Sequence, residues 1–287
     1  MSSRLVAHPW ERFSAPSHIE RGVPLKQILG ADAIRLIGES FANVWPKFDP
    51  HLFVQAASLG LEAMELSQRG RHIAMALAAQ LPKRFASSSR ILLASLGPEL
   101  SKTEGNGLAP FFYLPHANLI IELGIDDFEA AMQLNYQLTK RFSAEFSIRP
   151  FLVKYRDACL DRLHAWADDP NPHVRRLVSE GTRPRLPWAA RLREFQQKPE
   201  FTLPLIEKLK DDPELFVRRS VANHLGDIEK DHPELVYQLC ERWLEEVRCR
   251  PASEELTKAR KWIVRHALRL PAKKEVTRAA EIRRKAQ

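Results

Sequence analysis

The run Asp169-Pro170-Asn171-Pro172-His173-Val174-Arg175-Arg176-Leu177-Val178-Ser179-Glu180-Gly181 contains the start, the buried stripe and the stop of one short helix. Asn171 is a good N-cap. Pro172 suits the first helical position, where a backbone N–H would have no helical partner. Val174, Leu177 and Val178 recur at i, i+3 and i+4 and set an apolar stripe along one side. Gly181 supplies the stop. The chain continues Thr182-Arg183-Pro184-Arg185-Leu186-Pro187-Trp188, and the two prolines restrict the backbone ahead of Trp188. Arg175, Arg176, Arg183 and Arg185 surround this helix together with Glu180.

The same phrase returns downstream. Asp212-Pro213 and Val217-Arg218-Arg219 each lie 43 residues beyond Asp169-Pro170 and Val174-Arg175-Arg176, and a looser copy, Val264-Arg265, follows Val217-Arg218 by 47. A period of this size with two helices per unit is the signature of a HEAT-like repeat. Almost nothing alternates with period two. The predicted fold is therefore all-α, a HEAT-like helical repeat solenoid or α-α superhelix.

A chain of 287 residues, 44% hydrophobic and 28% charged, can bury a substantial core without disulfides or metal. No run approaches the length of apolar sequence that a membrane span needs, and Met1-Ser2-Ser3-Arg4 does not begin a signal peptide. Cys159, Cys240 and Cys249 are odd in number and form no C-x-x-C pair. They read as reduced thiols of a cytoplasmic protein. The net charge of +8 is unevenly placed: residues 1–140 hold 13 Lys/Arg and 13 Asp/Glu, residues 141–287 hold 31 and 23. That excess is either a solvated helical surface with a basic tail or a surface for a polyanion. Its clustering around the Val-Arg-Arg steps favours the second.

Residues 1–23 read as a polar N-terminal extension with Trp10 and Phe13 as docking points. Residues 24–270 read as the repeat domain and 271–287 as a basic tail, either a helical cap or a disordered arm. Helices are predicted from Pro24 to Phe41, Asp49 to Leu66, Ile73 to Leu81, Ser87 to Leu96, Tyr113 to Leu123, Asp127 to Thr139 and across Phe142–Phe151. Further helices are predicted from Leu152 to Ala167, in the two Asp-Pro units, from Pro233 to Val247 and from Glu254 to Leu270. Ser101–Gly107 is the most linker-like run.

No metal-ligand spacing, Gly-rich phosphate loop or G-x-S-x-G turn is present, so no metal and no cofactor is expected. The candidates are carboxylates, arginines and Trp188. Glu145, among Phe142, Phe146 and Ile148, would share a helical face with Arg149, as a surface pair or as a perturbed acid. Glu180 and Asp227 each fall at the C-terminal end of the helix that an Asp-Pro step opens, where the helix dipole disfavours an acid. Arg176, four residues before Glu180, can offset this. The two acids are either solvated loop residues or a pair facing one concave surface. Paired carboxylates on a basic, DNA-facing surface suit an N3-alkylated base, which is cationic and departs neutral, leaving an oxocarbenium-like sugar that negative charge stabilises.

Phe142-Ser143-Ala144-Glu145-Phe146-Ser147-Ile148-Arg149-Pro150-Phe151, the run His173 to Trp188, Gly60-Leu61-Glu62-Ala63-Met64-Glu65-Leu66 and His224-Leu225-Gly226-Asp227 together resemble the AlkC-type branch of the HEAT-like DNA alkylation-repair glycosylases. The resemblance covers about residues 24–270. It implies excision of 3-methyladenine and 3-methylcytosine from double-stranded DNA, without flipping the lesion into a pocket, by a monomer that is cytoplasmic and nucleoid-associated when bound. It implies that Glu145, Glu180, Asp227 and Trp188 line the lesion site, converging on one patch, while Arg149, Arg175, Arg176, Arg183, Arg185, Arg218 and Arg219 serve the DNA. Some family members carry an immunoglobulin-like domain after the solenoid. This sequence runs to Gln287 without one, and grip on the minor groove is the property expected to differ. The other reading of the same residues is a non-catalytic HEAT-repeat scaffold that binds DNA or a protein partner.

Overall fold

The computed structural model describes residues 7–249, 253–274 and 276–287. Met1-Ser2-Ser3-Arg4 and Glu275 of the tail lie outside them. The chain divides into two compact units, Met1–Phe151 and Leu152–Gln287. The division falls inside a helix and not at the linker-like Ser101–Gly107 run. The first unit holds α1 (Ala31–Ala42), α2 (Pro50–Ser58), α3 (Leu66–Gln80), α4 (Phe85–Ala94), α5 (Leu114–Gly124), α6 (Phe128–Thr139) and the start of α7 (Arg149–Lys154). The second holds α8 (Arg156–Trp166), α9 (Pro172–Gly181), α10 (Arg193–Gln197), α11 (Leu203–Leu209), α12 (Leu215–Ile228), α13 (Pro233–Cys249), α14 (Glu254–Ala267), α15 (Arg269–Lys273) and α16 (Thr277–Lys285). No strand occurs among the described residues, and none of their helices is long and apolar enough to cross a membrane.

Local chemistry explains the helix starts. Asp49 accepts from the amides of His51 and Leu52, Asp127 from Ala130, Asn171 from His173 and Ser253 from Leu256, each filling orphan donors of a first turn. Predicted helices are broken in several places. The stretch from Asp49 ends at Ser58, ahead of extended Leu59 (ψ 118°) and left-handed Gly60 (φ 70°). The stretch from Pro24 is a 3-10 turn over Leu25–Leu29 that stops at Gly30, whose extended backbone (ψ −165°) no helix contains. The stretch from Leu152 is interrupted at Tyr155 (φ −131°, ψ 47°), so α7 and α8 are separate.

The first unit is organised around aromatic side chains. Trp10 packs against Phe13, Phe112 and Tyr113, and Phe41 meets Phe48 and His116. The N-terminal extension is thus docked, with His8 Nε2 donating to the carbonyl of Ser95.

In the second unit α9 packs on α12 and α12 on α14. The repeated phrase builds the corners of this array. Arg175 Nη1 donates to the carbonyls of Asp169 and Pro170, and Arg218 Nη1 donates to those of Asp212 and Pro213. Arg175 then crosses to the next corner, gripping Asp212 through two hydrogen bonds of 2.6 and 3.0 Å. Starts of α9 and α12 keep the 43-residue register. Val264-Arg265, by contrast, sits near the end of α14 and is not a third copy of the corner. The tail is a docked cap. Ala279, Ile282 and Ala286 are fully buried, Arg278 pairs with Glu234 and Glu241, and Arg265 donates to the carbonyl of Ala286.

Candidate active site

Glu180 and Asp227 are the penultimate residues of α9 and α12. They are not solvated loop acids: Glu180 is 5% exposed and Asp227 3%. One guanidinium joins them. Arg183, itself 8% exposed, donates Nη1–H to Glu180 Oε1 at 2.7 Å and Nε–H to Asp227 Oδ2 at 2.8 Å. Ser220 Oγ donates to Glu180 Oε2 at 2.6 Å, Arg176 stands 3.4 Å from Oε1, and Lys230 Nζ reaches Asp227 Oδ1 at 3.1 Å. Burial alone would raise the Glu180 carboxyl, but Arg176, Arg183 and the hydrogen bonds from Ser220 and Arg183 outweigh it and hold it below the usual carboxylate range. Burial likewise weakens the charge on Arg183, and the two carboxylates more than restore it. The result is a set of charged groups that hold one another in place.

Beyond α9 the chain makes the loop that carries Trp188. Arg183 and Arg185, two residues apart, grip Asp227 and Asp231, which are four apart on one side of α12 and its C-terminal turn. Leu186 is buried, and the amide of Leu192 closes on the carbonyl of Pro184 at 3.1 Å. At the loop tip Trp188 has φ +62° and is 74% exposed. A tryptophan in the left-handed region is strained by about 1–2 kcal/mol, and its exposed indole recovers nothing by burial. Residues held in this way are characteristic of functional sites.

The other predicted site residues divide between the two units. Glu145 and Arg149 belong to the first unit. Glu145 is not on a helix: it lies in the turn between α6 and α7, where Ser143 Oγ donates to its Oε2 at 2.6 Å. Pro150 lets α7 begin only at Arg149, so no helical face joins the two residues as expected. Arg149 is 4% exposed. Arg175 and Arg218 hold the repeat corners, Arg183 joins the two acids and Arg185 grips Asp231. Arg176 lies over the Phe216 ring at 5.1 Å, beside Glu180. Arg219 is exposed. Among the described residues no group of His, Cys, Asp or Glu is arranged to hold a metal ion.

A family model described as DNA alkylation repair enzyme matches residues 141–270, the stretch that holds these acids and the Trp188 loop. The structure of Pseudomonas fluorescens alkylpurine DNA glycosylase AlkC bound to DNA containing an abasic site analog is 37% identical to this chain, with a TM-score of 0.78 over 91% of this chain and 68% of that one. The chain belongs to the DNA alkylation repair enzyme family, in its AlkC-type branch. A second relative, the uncharacterized protein YhaZ of Bacillus subtilis (strain 168), is 31% identical over 251 residues, 87% of this chain. The chain spans 65% of the length of YhaZ. As an AlkC-type chain it shares the all-α helical repeat fold with its Pseudomonas relative.

Sequence reasoning missed three partners of this AlkC-type site: Ser220, Lys230 and Asp231. Ser220 left a signal. It stands 43 residues after Leu177, a polar residue in the apolar stripe of the repeat. The other two left none, because a lysine or aspartate near a helix end is ordinary surface chemistry.

Proposed function

We propose that this AlkC-type protein is a DNA glycosylase that excises positively charged N3-alkylated bases from double-stranded DNA, 3-methyladenine first and 3-methylcytosine by the same chemistry, without conventional base flipping. The observation that carries the reading is the buried Glu180–Arg183–Asp227 bridge beside a strained, exposed Trp188. In the reaction the C1′–N bond breaks and its electron pair neutralises the departing base. No proton has to be delivered to that base. A water adds to C1′ and gives up a proton to a carboxylate or to solvent. The developing charge at C1′ is what the fixed acids stabilise, since preorganised charge costs no reorganisation as the bond breaks. Lys230 is the most exposed member of the cluster, and its swing away from Asp227 Oδ1 opens that oxygen to the sugar or to water. Trp188 supplies an apolar face against the lesion or its neighbour.

Single-turnover release of free 3-methyladenine is the test. Glu180→Gln and Asp227→Asn keep the shape and remove the charge. Each is expected to slow excision by roughly 10²–10³, the scale of one electrostatic contact to a transition state. Glu145→Gln reports separately on the first unit's acid. Excision by both second-unit variants at the parent rate, with the fold intact, would remove these acids from the chemistry and leave the non-catalytic scaffold.

A further inference from the structure

Both ends of the Trp188 loop are fastened to one place. The loop leaves α9 through Arg183-Pro184-Arg185 and rejoins the fold at Leu192, just ahead of α10. At its entry Arg185 meets Asp231 with two hydrogen bonds, Nε to Oδ2 at 2.9 Å and Nη2 to Oδ1 at 2.6 Å. At its exit His232 Nε2 donates to the carbonyl of Gln196, in α10, at 2.6 Å. The Gln196 side-chain oxygen, turned to the same guanidinium, accepts from Arg185 Nη2 at 2.9 Å and so links entry to exit. Asp231 and His232 are neighbours in the turn after α12, and the amides of both close on the carbonyl of Ile228.

The two arginines work in register. Arg183 holds Asp227, and Arg185 holds Asp231, one helical turn or roughly 6 Å further along. A movement of the end of α12 therefore carries the acid and the loop together. Buried Leu186 and Leu192 seat the base of the loop, but an indole 74% exposed is not positioned by packing of its own. Its place is inherited from the segment that carries it. The hydrogen bond from Arg185 holds the Asp231 carboxyl below the usual carboxylate range, so the pair at the entry stays ionic at neutral pH. A two-pronged guanidinium–carboxylate contact fixes direction as well as distance, which a single contact to a mobile loop does not.

We propose that Asp231 and His232 are positioning residues for base excision: from the turn after α12 they brace the two ends of the Trp188 loop and keep its indole presented beside the acid on the same helix. The brace rests on the glycosylase reading above and extends it to residues that touch neither the lesion nor the sugar. A loop held at both ends meets the nucleotide already ordered, so the cost of ordering it is not taken from the rate of the bond-breaking step. Released at either end, the loop still folds, but the indole samples places from which it serves the reaction less well.

Single-turnover excision of 3-methyladenine at rising protein concentration tests this. Asp231→Ala is expected to lower the plateau rate roughly tenfold, the scale of a misplaced group at a reacting centre. The protein concentration for half-maximal rate should stay close to the parent's. The melting temperature should hardly move, since the pair is partly solvent-facing. Asp231→Glu, which returns a carboxylate to the guanidinium, should recover most of the lost rate. Brief trypsin treatment reads the loop itself: cutting after Arg191 should be faster in Asp231→Ala than in the parent. If Asp231→Ala melts far below the parent, His232→Ala, which frees only the far end of the loop, is judged by the same split between plateau and half-maximal concentration. A parent that releases base while both alanine variants match its plateau overturns the brace and leaves the glycosylase reading intact. A loss confined to the half-maximal concentration also overturns it, by making the turn part of the grip on DNA. A parent that releases no base overturns both.

Discussion

Trp188 shows most directly what a single residue contributes. Its backbone occupies the left-handed region and its indole is exposed, so the fold gains nothing evident from it. Trp188→Gly relieves the left-handed strain at the expense of chain entropy, two effects of about 1 kcal/mol each. The variant is expected to melt at or above the parent temperature while releasing 3-methyladenine far more slowly. A melting temperature several degrees lower would make the indole a packing residue that covers a repeat joint. The sequence made this residue conspicuous through Pro184 and Pro187, but its dihedral angle is set by tertiary staples. Glu180 and Asp227 were placed correctly at helix ends because Asp-Pro starts and apolar stripes are local signals. Their union through Arg183 was not legible. It depends on a loop arginine reaching a residue 44 positions away.

At the scale of elements, Val-Arg-Arg was read as a surface for phosphates, and in each copy its first arginine also fastens a helix corner. Both readings fit a motif of positive charge beside a helix start. Only the partner decides, and Asp212 is a partner no local pattern assigns. Asp212→Ala takes from the half-buried Arg175 guanidinium its two-pronged carboxylate partner, and should cost about 1–3 kcal/mol of stability. Chemical denaturation measures this. A loss under about 0.5 kcal/mol would mean the corner is held by its carbonyl contacts alone. The turn at Glu145 failed as a helix prediction for a related reason: the aromatic spacing from Phe142 to Phe151 fits helical periodicity, while Pro150 and the Ser143 contact select a turn.

Over the whole molecule, the all-α repeat class and the basic excess of the second half were legible, because period and charge sum over many residues. The fate of the tail was not. Its lysines and arginines suggested an arm, yet Ala279, Ile282 and Ala286 are buried and α16 packs on α13, α14 and α15. Removing residues 277–287 is expected to lower the melting temperature by many degrees, since an end repeat loses its cover. An unchanged melting curve would return the segment to the role of a basic arm. The repeat itself has a further consequence. α12 runs one turn longer than α9 before it ends, and that extra turn is what carries Asp227 past the register of Glu180 to meet Arg183. A consensus redesign that averaged α9 and α12 to a strict 43-residue module would shorten this helix, place one residue type at Glu180 and Asn223, and produce a more regular protein. It would also erase the differences between units that build the Glu180–Arg183–Asp227 bridge. In this chain, symmetry and the proposed activity pull in opposite directions.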